Sequence, residues 1–290
     1  MLLTELHPGG MTEEQARRWQ ANLERIRRFR LMDDDFMTKC FEDNIPCTEL
    51  MLRIILEEPE LVVEEVRTQV FVENLQHRSV RMDVVAVDGL GRRINVEVQR
   101  SDRGAGRRRA RYNSSMMDAG LLEKSQEFEA LPETYVIFIT ERDVMGGGLP
   151  LYHVERRVRE TGLDFADGAH ILYVNGACRD ASPVGRLMHD FSCADPSQMY
   201  YGVLAERTRF FKEEKEGVVT MCRIMEEVMN EGRREGLQEG RQEGLQEGRR
   251  ESLREVILHM LKSGESSLEK IAAVTGIPLN EVKRLSLEQK

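Results

Sequence analysis

The chain has few cysteines and none of them paired. Cys40, Cys47, Cys178, Cys193 and Cys222 are odd in number, widely scattered and never arranged as C-x-x-C. That argues against a disulfide framework and against a thiolate zinc site, and leaves the thiols reduced and mostly buried. Long apolar runs are absent as well. The longest, such as Tyr135-Val-Ile-Phe-Ile139, fall far short of the ~18 residues of a membrane span. The first thirty residues carry Glu, Arg and Trp where a signal peptide would carry an apolar block. A soluble, unexported, cytoplasmic protein without membrane contact is expected. Positive charge is also in deficit, with a net charge of −9 over 290 residues. This disfavours indiscriminate binding to nucleic acid, so any DNA contact must come from a local basic patch. Finally, no Ser/His/Asp grouping and no phosphate-binding loop is present. Gly146-Gly-Gly148 lacks the spacing and the Lys-Ser/Thr of a P-loop, and His153, His170, His189 and His259 are isolated.

What is present divides the chain into segments. Residues 1–35 read as a helical arm: Thr12-x-x-Gln15 is a capping box, and Trp19, Leu23 and Ile26 share one face. Residues 36–182 read as an α/β core. In it, a helix starts near Thr48 and stops at Glu57-Glu-Pro59. Strands follow at Val70-Phe-Val72, Ser79 to Val87 and Arg92 to Arg100, the last two joined by Asp88-Gly-Leu-Gly91 as a hairpin. Residues 107–130 then suit a helix ending before Leu131-Pro132, and Thr134 to Thr140 and His170 to Asn175 make two buried strands. Residues 183–230 read as helical. In 231–251 a Glu-Gly pair recurs every four residues. Each interior glycine costs a helix ~1 kcal/mol relative to Ala. Leu237, Leu245 and Leu253 are too sparse for a heptad seam, which favours a solvated linker over a marginal helix unless a partner chain packs on the glycines. Residues 252–290 resume amphipathic helices, one opened by a Ser266-x-x-Glu269 capping box.

The hairpin carries the chemistry. A three-residue loop at Gly89 to Gly91 makes paired positions sum to 180, which sets Asp83 opposite Glu97. Glu97 and Gln99 share a face, while Ile94, Val96 and Val98 face the other way. Two like charges opposed in a sheet are destabilising. A hard cation such as Mg²⁺ resolves the conflict, held by the two acids and the Val98 carbonyl with waters and a phosphate completing its shell. A solvated, soluble sheet edge accounts for a single acid pair equally well. Just after Gln99, the stretch Arg100 to Tyr112 holds six arginines against one acid. Such a cluster can neutralise several phosphates. Arginines at a helix start oppose the macrodipole, so helix stability does not explain them.

Asp83, thirteen residues, then Glu97-Val98-Gln99 resembles the D…(D/E)-x-K signature of PD-(D/E)XK nucleases. In its E-x-Q form it resembles the Rpn-like family of recombination-promoting nucleases and transposases. Arg81-Met-Asp83-Val, Asn95-Val-Glu97-Val-Gln99-Arg100, Arg109-Ala-Arg-Tyr112, Leu131-Pro-Glu-Thr-Tyr-Val-Ile-Phe-Ile139 and Tyr173-Val-Asn175 are similar to that family's blocks in their order. The likeness runs over roughly 33–230. It implies a restriction-endonuclease-like α/β fold, a mixed sheet flanked by helices, with a helical C-terminal extension. It implies catalytic Asp83, Glu97 and Gln99, and metal at Asp83, Glu97 and Val98, with Mg²⁺ as cofactor and Mn²⁺ as substitute. DNA would be held by Arg108, Arg109, Arg111 and Tyr112. Met82 stands in the place of the name-giving proline, and Gln99 in that of lysine. Glu49 is the candidate for a further acid on the preceding helix.

Leu268 to Thr275 and Leu279 to Leu287, turning at Gly276, are similar to a helix-turn-helix. Ala272 would sit at the crossing, and Ile271, Val274, Ile277, Val282 and Leu285 would form its core, leaving Asn280, Lys283 and Arg284 toward DNA. A dimerising bundle suits the same helices, so a homodimer through them is the other reading. The function expected is a metal-dependent DNA endonuclease in recombination or a transposase-like mobile element. The rival is a non-catalytic DNA-binding or regulatory protein that keeps the fold.

Overall fold

Thr12 Oγ1 accepts from the Gln15 N–H at 3.3 Å while the Gln15 side chain accepts from the Thr12 N–H at 2.8 Å. This reciprocal cap opens α1 (Glu13–Arg28), the first element of the computed structural model, which describes residues 12–74, 78–100, 104–122, 125–264 and 267–288. Leu23 and Ile26 bury the inner face of α1. The Lys212 ammonium, itself buried, donates to the carbonyls of Arg27, Phe29 and Ala194, so acceptors left at the end of α1 are satisfied. The chain then enters α2 (Asp34–Phe41) and α3 (Ile45–Ile55). Asn44 caps α3 through the Cys47 N–H at 3.0 Å, with Pro46 in its first turn.

A six-stranded sheet follows: β1 (Val63–Val72), β2 (Val80–Asp88), β3 (Arg93–Gln99), β4 (Thr134–Thr140), β5 (Leu151–Val154) and β6 (Ala169–Asn175), in the order β1-β2-β3-β4-β6-β5. β1, β2 and β3 pair antiparallel, β3, β4 and β6 pair parallel, and β5 closes the sheet antiparallel to β6. α4 (Arg107–Ala119) is the crossover between β3 and β4. It covers one face with Ala110, Met116 and Met117 against Val136, Phe138 and Tyr173. After β6 come α5 (Pro183–Ser192) and α6 (Gly202–Glu213), and α3 packs on β1, α5 and α6. The mixed sheet with flanking helices is the architecture that the family resemblance implies.

Several expectations need correction. The helix expected near Thr48 begins three residues earlier, because Asn44 is its cap. The helix expected to fill 107–130 stops at Ala119, where Gly120 follows, and a single 3-10 turn occupies Phe128–Ala130. α2 and β5 are new. Eight and four residues respectively are too few to display a period.

The chain divides into two compact units, one to Arg223 and one from Ile224. In the second, the Glu-Gly repeat lies within a helix rather than a linker: α7 runs from Lys215 to Ser263. Every residue from Glu226 to Ser252 is exposed. α8 (Leu268–Thr275) and α9 (Leu279–Glu288) pack on the end of α7 through Ile257, Ile271, Val282 and Leu285. Gly276 turns between them with φ +70°. Val274, expected in that core, is 67 % exposed. Ser267 caps α8 through the Lys270 N–H, and the Ser266 of the expected capping box lies outside the described residues.

A Cβ added at Gly236, Gly240 or Gly244 meets nothing within 4 Å. Replacing these three with Ala should therefore stabilise the helix by up to ~1 kcal/mol each, read as a rise in the thermal midpoint by far-UV circular dichroism. A fall in the midpoint would instead mean that a second chain packs on the glycines.

Candidate functional site

The β2–β3 hairpin is fixed at its turn. The Asp88 carboxylate accepts from the N–H groups of Leu90 and Arg92 at 3.0 and 2.9 Å and from Arg92 Nε at 2.6 Å. Arg92 in turn reaches both carboxylate oxygens of Glu58 at 2.7 and 2.5 Å. Gly91, at φ +77°, closes the loop in a conformation that favours glycine. The register that results is Val84↔Val96, Val85↔Asn95, Ala86↔Ile94 and Val87↔Arg93. Continued by one pair it sets Asp83 beside Glu97, as the loop arithmetic predicts.

At that next position the ladder opens. Asp83 Oδ2 accepts from the Val98 N–H at 3.2 Å, in the place where a backbone carbonyl would otherwise stand. The Val98 carbonyl points to the same side of its strand as its N–H, toward Asp83. Gln69, the β1 residue across from this opening, has φ +53°, and its amide donates to Thr38 Oγ1 of α2 at 2.9 Å. The strands bend here, and α2 closes over the bend.

Both acids are buried, Asp83 at 5 % and Glu97 at 0 % exposure. Glu97 Oε1 accepts from Asn95 Nδ2 at 3.1 Å and Oε2 from Arg109 Nη2 at 2.8 Å. Burial first, then the charges of Glu97 and Asp34, push the Asp83 carboxyl up to about 7, against a smaller pull from the Val98 N–H and Arg109. Burial likewise raises Glu97, with Asn95 and Arg109 opposing. Asn95 Oδ1 and Asn113 Nδ2 are buried without a hydrogen-bond partner. Gln99 ends β3, half-buried, opposite Thr140.

The other predicted residues are distributed as follows. Arg108 and Arg111 are exposed in the first two turns of α4. Arg109 turns inward to Glu97 instead. Tyr112 packs beside the core under α4 and donates its hydroxyl to the Arg78 carbonyl. Glu49 does not join the acids: its carboxylate accepts from the Val63 N–H at 3.0 Å and pairs with Arg53 at 2.7 Å. Val63 pairs with Asp88, at the turn end of the hairpin. The helix acid that acts on Asp83 is Asp34, in the first turn of α2. Sequence reasoning missed it because α2 itself was missed, although three successive aspartates, Asp33 to Asp35, are a helix-start signal. Lys283 and Arg284 are exposed on α9, and Arg284 lies 3.6 Å from Glu281. Among the described residues, no three His, Cys, Asp or Glu side chains converge as a metal cluster. Among them, too, no helix is long and apolar enough to cross a membrane.

With this geometry in place, comparison with known families is decisive for the core. Residues 43–175 match the family of PD-(D/E)XK nuclease family transposases. Over this segment the chain is similar to that family. No curated protein and no solved structure matches the chain. The matched PD-(D/E)XK segment holds Asp83, Glu97, Gln99 and the α4 arginines, and it leaves Asp34 outside.

The buried acids have a measurable consequence for stability. An unfolded Asp ionises near 3.8, whereas folded Asp83 does so at about 7. Between these values the folded chain holds the extra proton, so stability falls as pH rises through the window. Asp83→Asn removes that loss while its amide oxygen still accepts from Val98. Without metal, the variant should match wild type below pH ~4 and exceed it by ~1–3 kcal/mol at pH ~8. Thermal melts across that range test this, and a wild type equally stable at the upper end would count against burial of an ionised pair.

Proposed function

We propose that the chain is a metal-dependent DNA endonuclease that hydrolyses phosphodiester bonds, acting in recombination or as a transposase-like mobile-element protein. The observation that carries this reading is the pair of buried carboxylates on adjacent strands, Asp83 held by the Val98 N–H and Glu97 by Arg109 of an arginine-rich helix start. The donor set fits Mg²⁺, which uses one or two carboxylates and otherwise keeps waters and phosphate oxygens; Mn²⁺ suits the same oxygens. The metal, when bound, supplies activation of a water and neutralisation of charge on the phosphate.

The chain's own residues do the rest. Asp83 and Glu97 hold the ion, and the Val98 N–H keeps the Asp83 carboxylate oriented. Gln99, on the face of Glu97, orients water or phosphate by hydrogen bonds. Its neutral amide offers no charge to the developing phosphorane, so slower chemistry than with a lysine is expected. Arg108 and Arg111 grip the DNA backbone from α4. On α9, Lys283 and Arg284 are a weaker DNA surface, because the cavity Arg284 lines is of mixed charge, with Glu243, Glu247, Glu251 and Glu281 against Arg250 and Arg254. The end of α7 with α8 and α9 suits a homodimer contact instead. The second reading, a non-catalytic DNA-binding protein, is favoured by Gln99 alone.

Plasmid cleavage in Mg²⁺ and in Mn²⁺ separates the two readings. Asp83→Ala and Glu97→Ala should abolish cutting. Gln99→Ala should slow it ~10²-fold with DNA affinity nearly intact, and Gln99→Lys should keep or raise the rate. A wild type silent in both metals, with acid variants that bind DNA equally well, would select the non-catalytic reading.

DNA affinity against salt supplies a further check. Replacing Arg108 and Arg111 with Ala should lower the slope of log affinity against log salt by up to ~2, about one unit for each phosphate no longer held by an arginine. An unchanged slope would move the DNA path away from α4.

A further inference from the structure

Arg109 differs from its neighbours. Among the described residues, Arg107, Arg108 and Arg111 make no ion pair, whereas Arg109 places Nη2 2.8 Å from Glu97 Oε2. It sits in the first turn of α4, where the helix dipole disfavours a cation, so its place there is owed to the carboxylate beneath. Glu97 is fully buried, but the Arg109 side chain is 40 % exposed. A route to solvent is therefore open to the guanidinium while the carboxylate stays fixed by Asn95.

We propose that Arg109 is an exchangeable counter-ion. It neutralises Glu97 when no metal is bound and passes to a DNA phosphate when a divalent cation takes the carboxylates. Metal and DNA binding then reinforce each other. The inference rests on the proposed metal site and goes beyond it.

The physical reason is competition for one carboxylate. A divalent ion on Glu97 lies within a few ångströms of the guanidinium and repels it, all the more because the pocket is largely shut off from water. Leaving Glu97, Arg109 needs another anion to avoid losing a charge-assisted bond. The nearest source, on this reading, is the phosphate backbone gripped by Arg108 and Arg111 on the same helix. DNA thus removes the competitor for the metal, and metal releases a ligand for the DNA. By linkage the two effects must be equal in size.

The test measures Mn²⁺ binding by loss of the free-ion electron paramagnetic resonance signal, at a pH above ~8, with and without a short duplex, in the cold to limit cleavage. Without DNA, Arg109→Gln should bind Mn²⁺ ~3–10-fold tighter than wild type, since a neutral amide competes less. The duplex should tighten wild-type Mn²⁺ binding ~5-fold or more, and should do so much less in Arg109→Gln. Mn²⁺ should raise wild-type DNA affinity by the same factor. Arg109→Lys, which keeps the charge without the planar fork, should fall between the two and stands in should the Gln variant not fold. Unchanged or weaker Mn²⁺ binding by Arg109→Gln, or an equal response to the duplex in both proteins, overturns the inference and leaves the metal site standing. A wild type that binds no Mn²⁺ under either condition, like Asp83→Ala, overturns the metal site and this inference together.

Discussion

Everything at the site depends on the register of one hairpin. A slip of one residue between β2 and β3 would send Asp83 or Glu97 to the opposite face. What prevents it is the closure at the far end, where Asp88 caps its own loop, binds Arg92, and shares Arg92 with Glu58. These groups lie five or more residues from the acids and take no part in the chemistry. Their effect is transmitted along a ladder whose side chains, Val84, Ala86, Ile94 and Val96, are fully buried on one face and leave no alternative pairing that keeps that face apolar. The end of the hairpin that holds the acids is then free to open.

That opening concentrates unfavourable electrostatics in a small volume. Two carboxylates are withdrawn from water, a third acid on α2 adds to their field, and Asn95 Oδ1, on the amide that donates to Glu97, lacks a partner. Buried polar groups left in this way cost free energy each, and a sheet optimised for stability alone would carry apolar residues here. Arg109 offsets part of that cost, reaching Glu97 from α4. The site is thus held by its surroundings rather than by its own contacts, and perturbed acids of this kind cluster at functional sites.

How much of this the sequence discloses follows from the range of each interaction. The hairpin, its loop and the strand Thr134–Thr140 are local patterns, set by alternation and by one glycine that needs positive φ, and they are legible to within a residue. The register of the acids follows from them by counting. Contacts between elements are another matter. The Arg109–Glu97 pair depends on how α4 crosses the sheet, and no spacing rule distinguishes Arg109 from Arg108 or Arg111. Glu49 looks like a suitable helix acid in sequence, but it sits where β1 begins and serves the Val63 N–H. Asp34 is placed instead by the docking of α2 over the bend at Gln69. The Glu-Gly repeat misleads in the opposite direction: its propensity favours a linker, yet continuity with Lys215 and packing at Ile257 keep it helical.

The position of positive charge gives Gln99 its meaning. A lysine two residues after Glu97 would place an ammonium on the strand itself, fixed to the same face as the acids. With glutamine there, the cation in contact with Glu97 comes from a separate element, α4, on a side chain that is partly in solvent. A charge carried by the strand would be a permanent part of the centre. One carried by α4 is a partner that can leave, and its departure is coupled to whatever anion lies along that helix. Replacing lysine with glutamine therefore does more than remove a charge from the site: it transfers the balance of charge from the sheet to α4.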